Sequence, residues 1–312
     1  VRSDLAGLWA VVVNWNGGVD PNRCCVASIT EAGVPEEHIV FVDNASHDGS
    51  REATSAAFPG LVGVANARNE GFGAAANLGV RLALESGARA VLFLNNDATL
   101  QAGCLQRLAA VLAANPRVGA IGPRVLRAGS DEIWAAGGVV ASGPNLSVLR
   151  GHGRPDGAAW EETVAVDYVP GCALLVRSTT LEEVGLFDEG YFAYLEDVDL
   201  GVRIGAAGWS QLCVGDVACE HAGSSATGGG YTPQRKYLNA LGSWRFLRAH
   251  GTPARWLSFW LYDVLPLPLA FLAGLPRGRA TGVLAKGLGL VHGARGRVAT
   301  TETLESGGTA LW

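Results

Sequence analysis

Four short apolar runs, Leu8–Asn14 (LWAVVVN), Ile39–Asn44 (IVFVDN), Leu61–Asn66 (LVGVAN) and Ala90–Asn95 (AVLFLN), each end in polar residues. Near-continuous apolar runs of this length predict strands covered on both faces. The stretches Pro21–Ala32, Ser50–Phe58 and Phe72–Ser86 lie between them, and Gln101–Ala114 follows the fourth; all four read as helices. Strand and helix in alternation predict an α/β fold with a mostly parallel central sheet and helices on both faces. Such sheets bind ligands at the carboxyl ends of their strands. The residues ending these runs, Asn14, Asp43, Asn44, Asn95, Asn96 and Asp97, are therefore expected to share one functional edge.

The second half is less regular. Ile133–Val140, Val164–Tyr168, Ala173–Arg177 and Gln211–His221 read as strands in a more mixed order. Gly143–Glu161 is a Gly/Pro-rich insertion, and AGSSATGGGY (Ala222–Tyr231) directly follows His221. Long loops of this kind predict lids or binding segments. Pro233–His250 then reads as an amphipathic helix. Trp256–Leu275 is a twenty-residue apolar run whose single charge is Asp263. Asp263, Pro266 and Pro268 argue against a clean membrane span, so an interfacial helix pair is expected. The domain reading is residues 1–231 as the catalytic body, 232–298 as a C-terminal helical appendage and 299–312 as a loose tail.

Charge sharpens this division. The 312-residue chain is 48% hydrophobic and 17% charged with net charge −5, which suits a globular protein and argues against nucleic acid as a partner. From Arg245 to Arg297, eight Lys/Arg face one acid, Asp263, giving +7 and leaving −12 elsewhere. A basic, apolar end on an acidic body predicts contact with an anionic membrane surface. Six cysteines form no CxxC pair and read as mostly buried thiols. With no leader pattern at the start, they point to a cytoplasmic setting, and the basic end adds an expected peripheral place on the inner face of the membrane.

Several motifs carry candidate chemistry. VVVNWNG (Val11–Gly17) and VDNASHDGS (Val42–Ser50) leave strands through sharp turns. Asp43, Asn44, Asp48 and Ser50 all suit turn and cap chemistry; Asp43, at a strand end on the ligand edge, could instead accept the N3–H of a pyrimidine. NEGFGAAANLG contains G-x-G-x-x-A at Gly71, Gly73 and Ala76. It follows the third strand rather than the first, so it reads as a tight helix entry instead of a dinucleotide fingerprint. LFLNNDA reads either as an Asn/Asp turn or as a site in which Asp97, flanked by Asn95 and Asn96, offers the oxygen ligands a hard divalent cation uses beside a diphosphate. His221 closes VGDVACEH. YFAYLEDVDLGVRIGAAGWS crowds Glu196, Asp197 and Asp199 into four positions. They suit either helix capping or a general base, and spacing alone leaves both open.

Taken in order, these motifs resemble family-two glycosyltransferases of the GT-A fold, nearest to bacterial rhamnosyltransferase-like members, over roughly Trp9–His250. The resemblance implies an inverting transfer of a hexosyl or deoxyhexosyl group from a UDP- or dTDP-linked donor to a glycan, lipid-linked or small-molecule acceptor. It implies that Asn14, Asp43, Asn69, Gly71, Phe72, Asn77 and Asn96 line the nucleotide side. Asp97 and His221 would hold Mg2+ or Mn2+, and Asp197, flanked by Glu196, would be the catalytic Asp of the family's ED motif, acting as general base. Asn95 stands where the family's first metal-site acid stands, and Leu238-Asn239 replaces its Arg-Asn pair. A Rossmann oxidoreductase would need its glycine fingerprint where NWNGG stands. A non-catalytic carbohydrate-binding relative would be expected to lack Asp97 or Asp197.

Overall fold

The computed structural model describes residues 5–223, 232–305 and 311–312; residues 224–231, most of the glycine-rich loop after His221, lie outside them. The first four apolar runs fold as β1 (Leu8–Asn14), β2 (Ile39–Asp43), β3 (Val62–Ala65) and β4 (Ala90–Leu94). They are followed by β5 (Ala98–Leu100), β6 (Val118–Arg127), β7 (Ile133–Ala135), β8 (Gly138–Val140), β9 (Ser147–Leu149), β10 (Val164–Ala165), β11 (Ala173–Arg177) and β12 (Ser210–His221). The main sheet runs β10-β12-β6-β11-β4-β1-β2-β3. β1–β4 pair in parallel, and so do β6 and β12. Antiparallel β11 joins the two parallel blocks. The register sets Asn14 directly beside Asp43, so the expected polar edge forms.

Helices α1 (Val19–Glu31), α2 (Ser50–Ala57), α3 (Phe72–Glu85), α4 (Cys104–Ala114), α5 (Ser178–Val184) and α6 (Glu196–Ala206) complete the body. Cys25, Val26 and Ile29 of α1 join Leu105 and Leu108 of α4 in a core on one sheet face. Ala76 and Val80 of α3 join Leu181 of α5 and Leu200 and Ile204 of α6 on the other. Burying both faces is what lets β2 be buried along its whole length.

Some elements differ from the sequence expectation. The ten-residue β6 is central, yet VGAIGPRVLR contains two glycines and a proline, which punctuate a strand pattern. Here they have work to do. A Cβ on Gly122 would stand 2.7 Å from the Ala173 carbonyl oxygen, and Pro123 sits where the β6–β12 register shifts. Ile133–Val140 splits in two at Gly137, whose φ is 78°, and β8 pairs with β9 of the insertion. Val164–Tyr168 shortens to a two-residue strand.

The C-terminal region comprises α7 (Pro233–His250), α8 (Pro253–Phe259), a π-turn over Trp260–Val264, α9 (Leu267–Gly274) and α10 (Ala280–Ala294). The expected helix pair is instead one helical rod, Pro253–Arg277, long and apolar enough by length and composition to cross a membrane. The π-turn, with Leu265 N donating to Trp260 O at 2.9 Å, precedes the prolines and absorbs the kink they impose. The residues after Ala299, expected to be loose, carry α11 (Thr301–Leu304), and Trp312 lies 5.4 Å from the Tyr237 ring. Of the six cysteines, Cys24 is exposed and the other five are buried and free.

Gly122→Ala should lower unfolding stability by about 1–3 kcal/mol, because the added carbon meets both the branched Val169 side chain and the Ala173 carbonyl oxygen. Urea unfolding checks this; a midpoint equal to wild type would show that β11 can give way.

Candidate active site

The end of β1 is held by one amide. Asn14 is fully buried, and its Nδ2 lies 2.9 Å from Asp43 Oδ1, 3.0 Å from Ser46 Oγ and 2.8 Å from Ser50 Oγ. Its Oδ1 accepts from Gly17 N, Asn22 Nδ2 and Asn96 Nδ2. Asp43 Oδ2 accepts from Ser46 N at 3.1 Å, which leaves the carboxylate buried with both oxygens engaged. Asn14 therefore bolts Asp43 and Asn96 to the sheet edge from beneath.

A second amide network shapes the next loop. Asn44 Nδ2 donates to Asn69 Oδ1 and to Gly71 O, while its Oδ1 accepts from Asn66 Nδ2 and Glu70 N. Gly71 has φ 86°, and a Cβ there would stand 2.5 Å from the Phe192 carbonyl oxygen. That oxygen accepts from Phe72 N at 2.8 Å. The glycine thus lets the start of α3 dock on the segment leading into Glu196. Asn77, expected on the nucleotide side, is instead 1% exposed and clasps Phe187 through both its backbone N and O.

The turn after β4 meets the end of β12. His221 Nε2 lies 3.1 Å from Asp97 Oδ1 and 3.3 Å from Asn95 Nδ2, and its ring stands edge-on to Trp134 at 4.7 Å. Its Nδ1 is buried without a hydrogen-bond partner. Among the described residues no cluster of three or more His, Cys, Asp or Glu is suited to a metal. Asp97 and His221 together offer one carboxylate and one imidazole, a donor set that suits an ion taking its other ligands from phosphate and water.

Glu196 and Asp197 open α6. The two residues before them, Tyr194 and Leu195, have φ of 72° and 70°, a left-handed pair that side chains bearing a Cβ rarely adopt. Asp197 Oδ2 accepts from Gly171 N at 2.9 Å, and its Oδ1 accepts from Val198 N at 2.8 Å. Glu196 Oε2 is buried without a partner. Burial, then the charge of Asp197, raises the Glu196 carboxyl above its ordinary range. Burial also raises Asp197, while the Gly171 and Val198 amides pull it back. Of the pair, Asp197 is the one whose anion is stabilised by donors. Asp199 does not cap; it is buried and pairs with Arg203 at 2.8 Å and with His250 at 2.7 Å, fixing α6 to α7.

These groups border a cavity of about 320 Å³. Of the residues singled out in the sequence, it brings together Phe72, Asn95, Glu196, Asp197, His221 and Asn239. Asn14, Asp43, Asn69, Gly71, Asn77, Asn96 and Asp97 lie outside its lining. Cys172 sits between the two acidic centres: burial, then Asp197 and Asp97, push its thiol well up. Sequence reasoning missed Trp134, Tyr168 and Arg235, which also line the cavity. Arg235 stands one turn before Leu238-Asn239, on the same face of α7 as Asn239, and lines the cavity with it. The QRK run at the start of that helix was the available signal.

The fold is that of the GT-A class of glycosyltransferases. Residues 11–180 match the family model described as Glycosyl transferase family 2, and the chain belongs to that family. It is 29% identical over 241 residues to an N-acetylglucosaminyl-diphospho-decaprenol L-rhamnosyltransferase of Mycobacterium tuberculosis, covering 70% of this chain and 76% of the relative. A 54-residue stretch is 43% identical to rhamnosyltransferase WbbL of Escherichia coli, covering 17% of this chain and 20% of that protein. Mannosyltransferase PcManGT from Pyrobaculum calidifontis, solved with GDP-Man and Mn2+, superposes with a TM-score of 0.58 at 16% identity, over 93% of this chain and 87% of its own. GalNAc-T7, solved with UDP, GalNAc and Mn2+, gives 0.56 at 17% identity, over 84% of this chain and 57% of its own.

Asn14→Ala should cost at least about 1–3 kcal/mol of stability, the usual penalty for a buried polar group left without its partner. Chemical denaturation measures this; an unchanged midpoint would mean that water replaces the amide.

Proposed function

We propose that this glycosyltransferase moves a hexosyl or deoxyhexosyl group from a UDP- or dTDP-linked donor to an acceptor hydroxyl by one inverting displacement, with Asp197 as general base. The observation that carries this is the Asp197 carboxylate, held at the cavity by two backbone N–H groups beside an acid that takes up a proton more readily. Asp197 accepts the hydroxyl proton as the acceptor oxygen bonds to the anomeric carbon. The bond from that carbon to the diphosphate breaks, and its electron pair leaves with the nucleoside diphosphate. Asp97 and His221 would hold Mg2+ or Mn2+, which when bound neutralises diphosphate charge. The names of the rhamnosyltransferase relatives favour a rhamnosyl donor, and that of the Mycobacterium relative favours a diphosphate-lipid acceptor. The basic, apolar C-terminal region supports work at the inner face of a membrane.

A thermal-shift screen tests the donor. UDP or dTDP should stabilise the protein in a manner dependent on the divalent ion, and Asp97→Asn should abolish that dependence; stabilisation by purine diphosphates alone would overturn the base assignment.

Asp197→Asn should fold, bind donor and lose transfer by roughly 10²–10⁴-fold, the usual worth of a general base. Retained transfer in Asp197→Asn with loss in Glu196→Gln would move the base by one residue.

The raised Glu196 carboxyl gives a stability signature opposite to that of an ordinary salt-bridged acid. The fold favours its protonated form, so wild-type stability falls as pH rises from about 4.5 towards the folded pKa. The melting-temperature advantage of Glu196→Gln over wild type should therefore widen from acid to neutral pH; a gap independent of pH would show that Glu196 is not desolvated.

A further inference from the structure

A second cavity, of about 400 Å³, adjoins the first. The two share Ser147, Leu195, Arg235 and Asn239, so Arg235 and Asn239 of α7 stand in the wall between them. Beyond that wall three cations, Arg235, Lys236 and Lys286, face a single acid, Asp263. Lys286 Nζ lies 2.6 Å from Asp263 Oδ1, and both side chains are about three-quarters buried. Arg235 lies over the Tyr194 ring at 5.5 Å, next to the left-handed turn that precedes Glu196. Burial, then the charges of Lys286 and Arg235, depress the Lys236 amine, as expected where positive charge exceeds negative in a partly dry space.

The floor of this cavity is apolar, with Phe259 from the Pro253–Arg277 rod and Leu290 from α10. The outer side of the rod is bare: Leu257, Leu265, Leu269 and Leu272 are each more than 60% exposed. An apolar stripe of this extent is what a hydrocarbon chain or bilayer covers. Positive charge in a cleft, apolar surface on one side and the candidate base on the other fit one kind of molecule.

We propose that the second cavity seats the diphosphate of a lipid-linked acceptor, with Arg235, Lys236 and Lys286 on the phosphates, the acceptor sugar reaching past Asn239 towards Asp197, and the lipid chain along the exposed face of Pro253–Arg277. This rests on the transferase reading of Asp197 and on the diphosphate-lipid acceptor, and adds where that acceptor sits. Asp263 orients Lys286 rather than binding the ligand. The donor's diphosphate belongs on the far side, at Asp97 and His221.

The test is equilibrium binding of farnesyl diphosphate to the full chain with no donor present, so that its outcome is independent of transfer and of the donor assignment. Wild type should bind it more tightly than farnesol, and salt should weaken the binding. A Lys236→Gln, Lys286→Gln double variant should lose about tenfold or more in affinity, the scale of lost charge-assisted hydrogen bonds. Its affinity for UDP or dTDP should be unchanged. Asp263→Asn should bind farnesyl diphosphate as tightly as wild type or more so, which guards against a double variant that fails to fold. Equal affinity in wild type and a folded double variant overturns the proposal. So does binding of farnesol as tight as that of the diphosphate, or parallel loss of nucleotide binding, which would give the cavity to the donor.

Discussion

Two adjacent carboxylates held out of water set the terms for this molecule. Charges so close in a medium of low polarisability repel strongly, and each also loses hydration. The chain holds them there through a left-handed Tyr194-Leu195 turn that no local preference supplies. Around that turn the contacts are many. Phe192 O accepts from the start of α3, Asp199 ties α6 to Arg203 and His250, and Arg235 lies over Tyr194. Strain of this kind persists where the surroundings over-determine it. Asp197 receives two backbone donors and Glu196 Oε2 receives none, so the pair is split into a better-held anion and a carboxyl that keeps its proton more readily. Such a split is how two like residues come to hold different roles.

The first half of the fold was legible because β1 to β4 obey a simple rule: apolar through the strand and polar at the carboxyl end. The edge inferred from that rule exists, with Asn14 beside Asp43. What those side chains do was not legible. An amide at a strand end looks the same in sequence whether it faces a ligand or another amide. Asn14, Asn44 and Asn77 all turned inward, where their hydrogen bonds fix loops. β6 was hidden for the opposite reason: its glycines answer close contacts with Val169, Ala173, Thr180 and Trp209, all distant in sequence, which local pattern does not contain. Glu196, Asp197 and His221 share a cavity as expected, and that part of the site was legible through the order of motifs rather than through any one of them.

At the C-terminal end, composition gave the right character and the wrong shape. Prolines at 266 and 268 suggested a break, but a π-turn one step earlier lets the helix pass them. The rod that results keeps its apolar residues on the outside, next to the basic residues of α7 and α10. An acidic body and a basic end are thus brought together at the cavity mouth, where the charge asymmetry in the sequence becomes a gradient across a few side chains.

That gradient bears on how two anionic substrates could share one cleft. A nucleoside diphosphate donor and a diphosphate-bearing acceptor repel each other, and the displacement needs them within bonding distance. Among the described residues lining the cavity at Glu196 and Asp197, Arg235 is the only Lys or Arg, and residues 224–231 contain neither. On the Asp97–His221 side, the protein supplies amides, one carboxylate and one imidazole, a set that attracts a cation rather than an anion. A phosphate there calls for a mobile divalent ion as countercharge. On the α7–α10 side, the lysines are part of the fold. Resident charge on one side and recruited charge on the other would let the two substrates bind independently, and would let the nucleotide leave with its ion while the lipid product stays.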